Sequence, residues 1–77
     1  MNINIRYGIE TASRYVADGT TVGQVIADPS VKTELGYGDN VRALMDGVEV
    51  PTSTVPSENA TIVVEVRANQ KAELVTA

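Results

Sequence analysis

The chain has 77 residues, no cysteine, no histidine and a net charge of −4 from six basic and ten acidic side chains. That length makes one domain with a thin core, which usually supplies roughly 3–5 kcal/mol of net stability. The composition excludes disulfides and thiolate metal sites, leaves only oxygen donors for a metal, and disfavours a general affinity for nucleic acid or anionic membranes.

Residues 1–8 open the chain with an alternation: Ile3, Ile5 and Tyr7 on one side, Asn2, Asn4 and Arg6 on the other. This is the period of a half-buried strand, ended by Gly8. Residues 9–11 read as a short connection and residues 13–17 as a second strand, the two forming a hairpin. In that reading Tyr15 shares core parity with Tyr7, and the two tyrosines pack across strands. Asp18-Gly19 signals a turn, and Thr20 or Thr21 can cap a helix. Val22, Val25 and Ile26 then follow at i, i+3 and i+4, one apolar stripe. Pro29 interrupts, with Asp28 before it as a natural cap. The spacing predicts a helix over 22–27 and a further turn or two over 29–35, continued by Val31 and Leu35 and closed by a left-handed Gly36; an unbroken helix kinked at Pro29 is the alternative. Tyr37, between two glycines, reads as an uncommitted loop residue.

Residues 40–46 alternate again, Val41, Ala43 and Met45 against Arg42, Leu44 and Asp46. Asp46-Gly47 between apolar runs predicts a tight type I′ hairpin into a short strand over 48–50, stopped by Pro51. A polar loop over 52–59 offers Val55 as a plug for the core. The last strand covers residues 60–67, with Ile62, Val64 and Val66 on one face and Val63, Glu65 and Arg67 on the other. Residues 68–77 have no clear period and are expected to form a mobile tail after a domain spanning 1–67. One apolar helical stripe matches one apolar sheet face, so the expected class is α+β: a mixed sheet of four to five strands with one helix packed on one side.

The hairpin, the helix opening in T-V-x-x-V-I, the run V-R-A-L-M-D-G-V-E-V and the closing I-V-V-E-V strand resemble the ubiquitin-like β-grasp fold over residues 1–67. Within it the pattern is similar to the small sulfur carriers of thiamine and molybdopterin synthesis. The resemblance implies action through protein partners, docked on the open sheet face or along a sheet edge. It places Leu44 and Val63 at the centre of such a face, with Arg42 and Arg67 as basic flanks and Arg6 as an extension; Glu65 stands where an apolar residue would help the patch. Carriers and conjugated ubiquitins of this kind end in Gly-Gly, whereas this sequence ends E-L-V-T-A and contains no Gly-Gly pair. Carrier chemistry is therefore not expected.

Catalysis is not expected either. The commonest general base and the strongest nucleophile are missing. The aspartates occupy turns and caps, and no serine has an evident base beside it. The expected function is a non-catalytic protein-binding module without a cofactor, in the cytoplasm by default. A structural subunit or homo-oligomer is the alternative, because association adds stability that a thin core lacks.

Overall fold

A computed structural model describes residues 1–67 of the chain; the expected tail at 68–77 lies outside them. The elements in order are β1 (Asn2–Tyr7), β2 (Glu10–Tyr15), α1 (Val22–Ile26), α2 (Pro29–Leu35), β3 (Val41–Met45), β4 (Val48–Val50) and β5 (Thr61–Val66). The five strands form one mixed sheet in the order β2-β1-β5-β3-β4. β1 and β5 run parallel at its centre, and the other neighbouring pairs are antiparallel.

The alternation in β1 and β5 produces the core directly. Ile3, Ile5, Ile62 and Val64 are essentially fully buried under the helices, beside Ala12 and Ala43 of the flanking strands. The helices return Val22, Val25 and Ile26 from α1, and Val31 and Leu35 from α2. Each such Val, Leu or Ile contributes roughly 1.5–3 kcal/mol relative to an exposed side chain, which is how a short chain offsets its ordering entropy.

Where one helix was expected on the sheet, there are two. Pro29 has no N–H to continue α1 and forces the residue before it out of the helical region; Asp28 accordingly sits at φ −62, ψ 121. Its carboxylate accepts from the Ser30 N–H at 2.9 Å and the Ser30 hydroxyl at 2.8 Å, starting α2 afresh. Thr21 and Gln24 form a capping box on α1, and Gly36 closes α2 at φ 86. Asp46 and Gly47 both have positive φ, 55 and 80, as a type I′ turn requires.

Three local expectations are corrected. β2 begins at Glu10, because Gly8-Ile9 is itself a two-residue turn: Tyr7 pairs with Glu10, and Gly8 takes φ 63. Glycine at the first central position is the type II′ pattern. Even residues of β2 therefore face the helices, and Tyr15 points the other way, 80% exposed. Tyr7 packs instead against Tyr37, ring centroids 5.5 Å apart and tilted by 53°. Tyr37 is buried rather than free, and its hydroxyl donates to the Ile26 carbonyl at 2.7 Å. In the 52–59 loop Val55 is exposed and Pro56 is the residue turned inward.

Candidate interaction surface

The two helices cover one side of the sheet, and among the described residues no helix or strand covers the other. Register decides what it displays. Thr11 pairs with Arg6, Arg6 with Val63, Val63 with Leu44, and Leu44 with Glu49. These five residues make one cross-strand row over all five strands. Leu44 and Val63, directly opposite, are its half-buried apolar centre.

On one flank the row meets a charged cluster. Arg42 stands opposite Glu65. Its Nη2 and Nε reach Glu65 Oε1 at 2.8 and 3.2 Å, and its Nη1 lies 3.6 Å from Glu49 Oε1. Arg67 donates from Nη2 to Glu49 Oε2 at 2.9 Å. The Glu65 hydrogen bond and charge raise the Arg42 pKa further above its ordinary value. Two arginines and two glutamates thus form a charge-balanced chain, Glu65–Arg42–Glu49–Arg67, so Arg42 and Arg67 frame the patch with no net charge between them and their partners. Arg6 differs. It donates from Nε to the Gly8 carbonyl at 3.1 Å and makes no ion pair among the described residues. The other flank is polar, with Ser13 donating to Asn4 Oδ1 at 2.9 Å.

Beside Val63 the sheet has a notch. β1 turns away at Gly8 while β5 continues to Val66, which leaves a depression of about 590 Å3 lined by Arg6, Tyr7, Gly8 and residues 63–66. The five residues singled out from the sequence, Leu44, Val63, Arg42, Arg67 and Arg6, are brought together by the sheet. Glu49 was not anticipated as the link between the two arginines, nor Tyr15 as an open-face residue; reading Gly8-Ile9 as the turn would have assigned Tyr15 its side. Among the described residues no group of three His, Cys, Asp or Glu side chains is placed to hold a metal ion.

No protein-family model matches the chain, and no curated protein sequence matches it. Solved structures do. The Caldiarchaeum subterraneum ubiquitin superposes with a TM-score of 0.69 at 19% identity, over 92% of this chain and 98% of that one. SAMP1 from Haloferax volcanii gives 0.67 at 10% identity, over 92% of this chain and 100% of the other. The ubiquitin-like domain of an Arabidopsis thaliana protein gives 0.67 at 12% identity, over 95% and 83%. This is the ubiquitin-like β-grasp fold. In the β-grasp arrangement here, the helix pair buries one side of the sheet, and the Leu44–Val63 row on the side left uncovered among the described residues is the candidate surface. No helix among the described residues is long and apolar enough to cross a membrane.

Proposed function

We propose that this β-grasp domain is a non-catalytic binding module that docks another protein on its open sheet face. The observation that carries the reading is the pairing of Leu44 with Val63 at the middle of a row spanning all five strands. An apolar centre with a hydrogen-bonding rim is the usual anatomy of a protein interface. Arg42 and Arg67 are pre-ordered by Glu49 and Glu65, so a partner meets a fixed rim and little side-chain entropy is lost on docking. Arg6, without a carboxylate partner among the described residues, is the cation most available to an acidic group on the partner. The structural neighbours support the same reading, since they include a ubiquitin and a protein described as a molecular mimic of SUMO (TM-score 0.65, 16% identity). The acidic balance of the chain speaks against nucleic acid or membrane as the partner, and the setting we propose is cytoplasmic.

The test is substitution of both central residues. Leu44→Glu with Val63→Glu places two charges at the centre while leaving the helix side untouched. Partner capture from the native host with the wild-type domain as bait should yield a protein that the double variant fails to retain, at unchanged helical and strand content by circular dichroism. Equal recovery by a folded double variant would remove the open face from consideration.

A further inference from the structure

Among the described strands β2 lies at one edge of the sheet, and the ladder fixes which of its backbone groups look outward. Val16 donates to the Met1 carbonyl at 2.9 Å, and the Met1 ammonium donates to the Val16 carbonyl at 2.7 Å. Hydrogen-bonded and outward residues alternate along an antiparallel strand. Arg14, Ala12 and Glu10 therefore bond β1, while Thr11, Ser13 and Tyr15 turn their N–H and C=O groups outward. The opposite edge, β4, is only three residues long and is followed at once by Pro51. β2 has six residues and no proline or lysine; its edge is guarded by two inward-pointing charges, Glu10 and Arg14, which admit only a strand that matches them.

The two most exposed large apolar side chains among the described residues bracket this strand: Ile9, 94% exposed, precedes it, and Tyr15, 80% exposed, ends it. Between them Glu10 and Arg14 carry opposite charges. We propose that β2 pairs antiparallel with β2 of a second copy of this chain, centred on Ala12. That register sets Ile9 of one copy beside Tyr15 of the other, Glu10 beside Arg14, and Thr11 beside Ser13, and two-fold symmetry repeats each pair. Backbone parity agrees: Thr11 and Ser13, both outward-facing, exchange about four hydrogen bonds across the axis. A register centred on Ser13 also satisfies parity but sets Arg14 against Ala12 and Glu10 against Val16, losing both ion pairs. Charge thus selects one register.

The same charges explain the choice of occupant. Arg14 already contacts Glu34 at 2.5 Å and donates from Nη1 to the Ser13 carbonyl at 2.9 Å. Held there by Glu34 and the Ser13 carbonyl, the Arg14 guanidinium stands at the edge where a further carboxylate can join it, and a second copy brings Glu10 to that place. The interface is small, so the affinity is modest, with a dissociation constant on the order of 100 µM.

Sedimentation equilibrium of the full chain from about 10 µM to about 1 mM tests this directly. The weight-average mass of the wild type should climb from monomer toward dimer. Glu10→Arg sets arginine against arginine twice, and Arg14→Glu sets glutamate against glutamate twice; each should raise the dissociation constant about tenfold or more. An equimolar mixture of the two variants should associate again, because each then supplies the charge the other lacks. Should R14E fail to fold for want of its Glu34 contact, Ser13→Pro takes its place: it deletes an outward N–H, spares the intrachain ladder, and should abolish association. A wild type that stays monomeric to 1 mM, an E10R variant that dimerises undiminished, two folded charge variants that do not recombine, or a dimer dissolved by Leu44→Glu would each overturn the proposal.

Discussion

Tyr37→Phe isolates one hydroxyl whose role the geometry defines. The ring sits against Tyr7 and is retained in the variant; only the hydrogen bond to the Ile26 carbonyl is lost. That carbonyl belongs to the last turn of α1, where backbone acceptors have no intrahelical partner. Leaving it unpaired and buried costs about 1–2 kcal/mol, a large share of the roughly 3–5 kcal/mol available to a domain of this size. The melting temperature should fall by roughly 6–12 °C. Burial, with a smaller contribution from Asp28, pushes the Tyr37 pKa up to about 12. The sign of the pH effect follows: in the unfolded chain the phenol ionises near pH 10, while in the folded chain it still holds its proton, so folding loses stability as pH rises between about 10 and about 12. Urea denaturation followed by circular dichroism should therefore show a wild-type advantage over Y37F that is full at pH 7 and narrows above pH 10. Equal stability of the two proteins at pH 7, or a gap that does not narrow, would refute the assignment of Tyr37 as the cap on α1.

Further outcomes are as specific. At Gly23 an added Cβ would lie 2.8 Å from Thr52 Cβ and 3.1 Å from the Thr52 carbonyl oxygen; Gly23→Ala should cost about 1–3 kcal/mol by prising α1 off the loop that receives the Val22 and Gly23 N–H groups, read as a lower denaturant midpoint. Thr21→Ala removes the hydroxyl half of the capping box and should cost about 1 kcal/mol by the same measurement. Hydrogen bonds from Ser30 depress the Asp28 pKa, and Lys32 depresses that of Asp39. A depressed folded pKa gives stability that is present above pH 3.8 and lost as pH falls through the folded value. Asp28→Asn with Asp39→Asn should accordingly flatten the acid limb of a stability–pH curve.

The sequence was most readable where side chains alternate between the two faces of the sheet, most sharply in β1 and β5. β1, β3 and β5 follow from period two alone, and Asp28-Pro29, Gly36 and Asp46-Gly47 mark their caps and turn because each residue there meets a backbone requirement. β2 was harder. Its only fully inward apolar residue is Ala12, flanked on that face by Glu10 and Arg14, so an edge strand with two inward charges carries almost no hydrophobic period. Tyr37 was misread for a different reason. Flanking glycines say loop, but its burial depends on Tyr7 and Ile26, which are distant in sequence. Val55 and Pro56 show the limit of loop reading, since composition cannot say which of two neighbours turns inward. At the candidate surface, Leu44, Val63 and the arginines shared a face by parity, whereas the Glu49 link needed the register of a three-residue strand.

The strand order has a consequence for synthesis. β5, the last of the described strands, lies between β1, the first of them, and β3. Until residue 66 has left the ribosome, the nascent chain holds two separate hairpins and a helix pair with no middle to the sheet. The sheet therefore closes only once β5 is in place, and a chain broken off before Thr61 would leave the apolar faces of β1 and β3 without their shared neighbour.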